Sequence, residues 1–402
     1  MNDLRVAIVG AGIAGLTVAA SLARAGVASV VFERADALAP EGAGIQLAPN
    51  ATRLLRRLGL AHGLDAVAVR PAAIELRRWD NGATIGATEL GAACEDRYGA
   101  PYYTLHRADL QRVLLGALAD TRGVMLRLGR HCVGVSERPQ AAVLHFADGA
   151  SVEADVVIGA DGIHSSVRAA LASDAPRYSG MGVYRGLIPV EHLPHLAGDP
   201  TVRIWLGPRQ HCVCYPVAAG ALMSFTATAP GHEQGLGSWS APGVVANLVA
   251  AYAGWHSDVL GLLSAAGPVT QWALHDRAPL SRLHAGRVVV VGDAAHAMLP
   301  FGAQGANQAI EAAATLAACL RGVSAAEIVP ALDHYERVRL PRLARVGAAV
   351  RGNARDHHLA DGREQRRRDR CLSAHRSLRR QGWLYGYDAE RVTSAPVHVM
   401  AR

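Results

Sequence analysis

The sequence predicts an α/β fold in which one parallel sheet is assembled from separated stretches of chain. A second, mainly antiparallel sheet is inserted into it, and helices follow at the C-terminus. Three observations carry this. Apolar runs at Arg5–Val9, Val152–Ile158 and Arg287–Val291 each lead into a glycine turn, as buried parallel strands do. From about residue 180 to 229 the pattern changes to short segments bounded by turn residues. Helical periodicity then returns in Gln308–Leu320 and Ile328–Arg351. At 402 residues the chain exceeds the size at which one core stops growing, so two domains are expected.

The elements follow in order. Arg5–Val9 is a buried strand, Ile13–Arg24 a helix ended by Gly26, and Ser29–Glu33 the next strand. Together they form a βαβ unit. Thr52–Leu60 reads as a short helix. Ile74–Trp79 and Thr84–Leu90 flank Asn81-Gly82, a hairpin signal. His106–Ala119 is helical, and Val124–Val135 with Ala142–Phe146 reads as an antiparallel ribbon. The inserted sheet comprises Val183–Val190, Val202–Leu206, His211–Val217 and Ala221–Ala227. Val244–Leu263 reads as a helix with a weak point at Gly254. The domain boundaries expected are 1–72, 101–178 and 276–330 for the domain of the parallel sheet. Residues 73–100 form a hairpin of the inserted domain, 179–275 its main sheet, and 331–402 a C-terminal helical region.

Half of the residues are hydrophobic and 19% are charged, an ordinary globular composition. All 41 basic residues are arginine, so no lysine amine is available for catalysis. The net charge is +7, with a run of arginines at 363, 366, 367, 368, 370, 376, 379 and 380. This run reads as a solvated helix face, and no nucleic-acid partner is expected. The mild positive field suits acidic small molecules better. The six cysteines show neither a C-x-x-C pair nor disulfide spacing, and no metal site is expected. They read as reduced thiols of a cytoplasmic protein. The apolar stretch Leu4–Ala23 is broken by glycines and flanked by charge, so neither a signal peptide nor a membrane span is expected.

Three motifs carry chemistry. In Gly10-Ala-Gly12-Ile-Ala14-Gly15, Gly10 permits the tight turn, Gly12 lets a pyrophosphate approach the backbone, and Gly15 lets helix and strand pack. The helix N-terminus faces the phosphate charge. Glu33 ends the second strand, placed for ribose hydroxyls, and Arg34 follows it. Gly159-Ala-Asp161-Gly162 would be a plain turn on its own. Gly292-Asp293-Ala-Ala-His296 ends a buried strand in a carboxylate that needs a partner, such as a polyol hydroxyl. The loop of Pro300, Gly302 and Gly305 then opens a helix whose N–H groups can stabilise negative charge. His296 reads as a structural histidine. His211 and Tyr215 lie four apart on one strand and so share a face. If that face lines the pocket, His211 can deprotonate a phenol and Tyr215 can hold or relay the proton. Arg185, in Tyr184-Arg-Gly186, can face a carboxylate or sit in a structural ion pair. Gln46, in Gly44-Ile-Gln46-Leu47, has no assigned role.

The three motifs together resemble those of the single-component flavoprotein aromatic hydroxylases, the para-hydroxybenzoate hydroxylase family. The resemblance runs from Val6 to about Arg342. The strand from Gly207 to Val217 is similar to that of salicylate and 6-hydroxynicotinate hydroxylases, and Gly382–Asp388 to endings of salicylate hydroxylase-like members. The resemblance implies a Rossmann-type FAD-binding domain, with Gly10, Gly12, Gly15, Glu33, Arg34, Arg107, Asp161 and Asp293 at the cofactor. Arg107 lies in His106-Arg-Ala-Asp-Leu110. It further implies NADH or NADPH as a transient co-substrate, with O2 activated as a flavin hydroperoxide that hydroxylates a small phenolic or carboxylated ring. Arg185, His211, Tyr215 and Pro300 are then the substrate contacts. The chain is expected to lack the extra C-terminal domain of the phenol hydroxylases, and to act as a monomer or homodimer. The competing readings are a flavin dehydrogenase or reductase without oxygen insertion, and a non-catalytic FAD-binding protein.

Overall fold

The computed structural model describes residues 2–39, 42–119, 121–196, 198–230, 240–374 and 378–394. Its first sheet has six strands in the order His284–Ala285, Val288–Val290, Val156–Gly159, Asn2–Val9, Val27–Phe32, Val124–Arg127. All neighbours are parallel except the first pair. The register sets Val9 beside Gly159 and Gly159 beside Val290. Three glycine turns that are distant in sequence therefore leave the same end of three adjacent strands. Ligands of open α/β sheets bind at that carboxyl end. Helices Ile13–Arg24 and Gly305–Leu320 pack on each other, and Leu16, Leu22, Ile310 and Leu316 share one core with Ile8, Val31, Val157 and Val289.

The second sheet has eight strands, in the order Ser240–Gly243, Val269–Asp276, Arg177–Pro189, Leu222–Pro230, Gln210–Val217, Thr201–Gly207, Ala73–Arg78, Thr84–Glu89. Only the pairing of Thr201–Gly207 with Ala73–Arg78 is parallel. Side chains alternate across it as a pleated strand requires. Trp205, Cys212, Cys214, Phe225 and Ala227 form a core with Leu248, Val259 and Leu262 from the helices Val245–Ala251 and Ser257–Ser264. His211, Val213, Tyr215, Thr226, Thr228 and Arg185 face the other way, toward the glycine turns. Cys212 and Cys214 do share a side, and it is the side away from that space.

Several boundaries differ from expectation. The run Val152–Ile158 is two strands, Ser151–Ala154 and Val156–Gly159, in different sheets. Asp155 sits at the break, where its carboxylate accepts hydrogen bonds from the Arg5 amide at 2.8 Å and the Arg5 guanidinium at 2.6 Å. Val124–Val135 divides likewise: Val124–Arg127 extends the parallel sheet, while Cys132–Arg138 pairs with Ala141–Phe146. The helix expected over Val244–Leu263 is broken near Gly254, whose φ is +83°. A two-stranded ribbon of Gly44–Leu47 and Tyr103–His106 was not legible, because four residues are too few to show a period.

The C-terminal region departs furthest. Helix Ile328–His357 runs for 30 residues, about 45 Å at 1.5 Å per residue. Its end is tied to the second sheet, where the Arg209 amide donates to the His358 carbonyl at 3.0 Å. The arginine run is not simply a solvated face. Helix Arg363–Ala374 packs on strand Thr84–Glu89. Arg368 is buried, donating to the Asp356 carbonyl at 2.6 Å and pairing with Asp369. Arg376 lies outside the described residues. Among the described residues no helix is long and apolar enough to cross a membrane.

Candidate active site

The glycine turns lock into one another. A Cβ on Gly10, at φ +101°, would lie 2.5 Å from the Ala160 carbonyl oxygen, and one on Gly15 would lie 1.9 Å from that of Gly10. Only glycine permits either approach. Gly12 differs: a Cβ there would meet only the Arg107 guanidinium, at 3.9 Å. Gly12 also starts helix Ile13–Arg24 without a side-chain cap, so the first amides remain available. Glu33 stands against this loop, its carboxylate accepting from the Ala11 amide at 2.7 Å and the Ala35 amide at 3.0 Å. Arg34 is exposed beside it.

The resemblance assigns Asp161 to the cofactor, but the fold gives its carboxylate another task. It accepts from the Ser165 hydroxyl at 2.5 Å and the Ser166 amide at 2.8 Å, capping the turn Val167–Ala170. Ala160 and Gly162 face the cavity instead. Asp293 is the contrasting case. Desolvation by the surrounding protein raises its carboxyl above the ordinary value, opposed by the charge of Arg107, yet the side chain is exposed and opens onto the cavity. It accepts no hydrogen bond among the described residues. Arg168 braces the Asp293 turn from behind. It is 1% exposed, pairs with Asp174 at 2.7 Å, and donates to the Ala294 and Ala295 carbonyls at 3.0 and 3.1 Å. His296 does not line the cavity; burial lowers its imidazole to about 3, and neither ring nitrogen has a partner among the described residues.

A cavity of about 380 Å³ lies between these turns and the second sheet. It brings together Gly12, Ala14, Arg107, Asp293, Pro300, Gly305, Arg185, His211 and Tyr215. Gly10, Gly15, Glu33, Arg34 and Asp161 do not line it. Gly302 lines an adjoining cavity of about 310 Å³, which shares Gln46, His211, Val213, Pro300, Phe301 and Ala303. A larger cleft of about 570 Å³ lies by Arg57 and Asp388 and contains no residue of the three glycine motifs.

Cross-strand register builds the face that the second sheet turns to the cavity. Val213 opposes Thr226, and Thr226 opposes Arg185. His211 and Tyr215 lie two residues to either side of Val213. The Arg185 guanidinium sits 5.9 Å from the Trp272 ring centroid, and its Nε is buried without an acceptor among the described residues. It makes no ion pair among the described residues, and burial lowers its pKa. Burial also pushes the Tyr215 phenol up to about 12, opposed by Arg185 and by hydrogen bonds to Gln46 and Ser224. Gln46 thereby gains a role: it accepts from the Tyr102 hydroxyl at 2.7 Å and bridges it to Tyr215. His211 is held well below the usual imidazole range by burial and by His357 and His358.

The profile of the FAD binding domain family matches residues 3–350. The chain belongs to this family of flavoprotein monooxygenases. The 3-amino-4-hydroxybenzoate 2-monooxygenase of Streptomyces platensis is 49% identical over 390 residues, covering 97% of this chain and 98% of that one. The 6-hydroxynicotinate 3-monooxygenase of Bordetella bronchiseptica is 35% identical over 344 residues, 85% and 89% of the two chains. A salicylate hydroxylase solved as a substrate complex superposes with a TM-score of 0.81 at 29% identity over 98% of both chains. This flavoprotein monooxygenase uses FAD, and the cavity fits it. The bare amides at Gly12 suit a pyrophosphate, the open carboxylate of Asp293 suits a polyol hydroxyl, and the uncapped helix at Gly305 suits negative charge on the ring.

Sequence reasoning gave Gln46 and Arg168 no role and missed Thr228, Phe301, His357 and His358. The adjacent histidines at the end of a long helix were a visible signal. Nothing local says that they meet a strand almost 150 residues earlier.

Proposed function

We propose that the enzyme hydroxylates a one-ring aromatic acid bearing a ring hydroxyl, of the 3-amino-4-hydroxybenzoate class, with NADH or NADPH as reductant and O2 as oxidant. One observation carries the substrate class. A guanidinium without a counter-ion among the described residues, Arg185, opens onto the same cavity as the neutral imidazole of His211 and the phenol of Tyr215. Their strands are two apart in the sheet, a backbone separation of about 10 Å. That spacing accommodates a single ring with a carboxylate at one end and a hydroxyl at the other.

In this reading Arg185 pairs with the carboxylate and fixes the ring's orientation. His211 accepts the hydroxyl proton, which leaves the ring electron-rich. Tyr215, kept protonated by burial, donates a hydrogen bond to the resulting oxyanion. Val213, Met298, Pro300 and Phe301 wall the cavity and exclude water. Gly12, Ala14, Arg107, Asp293 and Gly305 hold FAD. When bound, FAD supplies the electron transfer and oxygen activation that side chains lack. The nicotinamide docks transiently at the cavity mouth. The identity of 48–49% across nearly the whole chain with 3-amino-4-hydroxybenzoate 2-monooxygenases supports the amino-substituted ring over salicylate. Six cysteines free of disulfides suit the cytoplasm.

The test is NADH and NADPH oxidation by the FAD-loaded enzyme with 3-amino-4-hydroxybenzoate, 6-hydroxynicotinate and salicylate, under isotopically labelled O2. Stimulated oxidation with one labelled oxygen in the aminohydroxybenzoate product is expected. Stimulation without label in the product removes the monooxygenase reading.

A further inference from the structure

His211 packs into a cluster with two residues from the far end of the chain. Its ring centroid lies 4.9 Å from that of His358 and 5.3 Å from that of His357, with Phe301 edge-on at 5.3 Å. His358 follows helix Ile328–His357 and is fixed at three points. Its Nδ1 lies 2.6 Å from the Ala354 carbonyl oxygen, its own carbonyl accepts from the Arg209 amide at 3.0 Å, and its Nε2 lies 2.8 Å from His211 Nδ1.

These contacts determine where the protons sit. A carbonyl oxygen carries no hydrogen, so His358 Nδ1 must donate to Ala354. Burial keeps His358 neutral, so its Nε2 retains a lone pair. His211 Nδ1 must then be the donor of the 2.8 Å contact. The Thr228 hydroxyl oxygen also lies 3.3 Å from His211 Nδ1, but with its proton given to a carbonyl it can only accept there, which leaves Nδ1 the donor. The same hydroxyl accepts from the His211 amide at 2.8 Å and donates to the His211 carbonyl at 3.1 Å. His211 is neutral as well, so its Nε2 is left with a lone pair on a ring that lines the cavity.

We propose that His358 is a positioning residue: its hydrogen bond to His211, backed by the Ala354 carbonyl, selects the tautomer in which His211 Nε2 takes the substrate hydroxyl proton. The inference rests on the reading that a ring hydroxyl faces His211. In the step the substrate O–H bond breaks, a new N–H bond forms at Nε2, and the O–H electron pair remains on oxygen. His211 becomes imidazolium, and its Nδ1–H stays bonded to His358. The titratable groups facing His211 are His357 and His358 from the helix end, and Tyr252, whose hydroxyl donates to the His211 carbonyl at 2.8 Å. Tyr215 and Arg185 face it from its own sheet, and Asp356 and Arg368 from across the adjoining cavity.

The experiment has two arms on the FAD-loaded enzyme. Nitrogen-15 NMR of the histidine rings without substrate reads the tautomers directly. His211 and His358 are both expected neutral and protonated at Nδ1, with His211 losing that single tautomer in His358→Ala. Finding His211 protonated at Nε2 in the wild type overturns the proposal. Kinetics with 3-amino-4-hydroxybenzoate form the second arm. His358→Ala should lower kcat about tenfold or more and shift the acid limb of the pH profile, with KM changed less than about twofold. His358→Gln, which keeps an acceptor where Nε2 stood, should recover most of the rate, and it serves if the alanine variant folds poorly. An unchanged pH profile in His358→Ala, or equal rates for the two variants, also overturns it. The expected tautomers alongside no stimulation by any hydroxylated ring would instead remove the substrate reading, so the two failures are distinguishable.

Discussion

Replacing Arg185 by methionine should move stability and substrate binding in opposite directions. The guanidinium lies in the interior beside Trp272, with no carboxylate partner among the described residues and with Arg107 adding repulsion. A cation in that position destabilises the substrate-free fold, and an apolar side chain of similar length removes the cost. The unliganded holoenzyme should gain about 1 kcal/mol, read as a raised midpoint in thermal unfolding. With substrate the sign reverses. A charge-assisted hydrogen bond to a carboxylate contributes about 1.5–3 kcal/mol. Taking about 2 kcal/mol, Kd should rise roughly thirtyfold. Because the carboxylate is bound equally in ground and transition states, KM should rise with kcat little changed. The assay is titration of the flavin absorbance with 3-amino-4-hydroxybenzoate and with 2-aminophenol, which lacks the carboxylate. Wild type should lose affinity on the change of ligand and the variant should not, the signature of a direct pairing. A variant less stable than wild type that still distinguishes the two ligands as wild type does would refute the reasoning.

Other perturbations follow from the same geometry. A Cβ at Gly44 would lie 2.5 Å from the Ser224 hydroxyl oxygen and 2.7 Å from the Tyr215 ring, so Gly44→Ala should cost about 1–3 kcal/mol and lower kcat/KM by displacing Tyr215. Urea unfolding and steady-state rates check both. Glu311 is fully buried between Arg339 at 2.7 Å and Arg342 at 2.8 Å. Glu311→Gln leaves two buried cations uncompensated and should cost about 3–5 kcal/mol in urea unfolding. Acid should also destabilise the fold through His357, which burial lowers to about 3. The unfolded chain binds that proton near pH 6.5, so the contribution is whole above about pH 6.5 and is lost as pH falls toward about 3. The slope is at most about 1.4 kcal/mol per pH unit, and His357→Gln should flatten the pH dependence of the unfolding midpoint across that window.

What the sequence determined by itself is local. Gly10 and Gly15 stand where a side chain would strike the backbone, so the turn and its apolar strand announce themselves in a few residues. Strand alternation put His211 and Tyr215 on one face for the same reason, since the period of a pleated strand is a property of its own backbone. Family and cofactor followed from three such turns. Only the tertiary structure decided what each side chain meets. Asp161 caps its own turn while Asp293 opens onto the cavity, although both end buried strands beside glycine. Gln46 reaches Tyr102 and Tyr215, Arg368 is drawn into the interior, and His358 crosses from the end of a 30-residue helix to His211. Those contacts depend on how distant elements pack, and a buried polar group takes whichever partner the packing brings within about 3 Å.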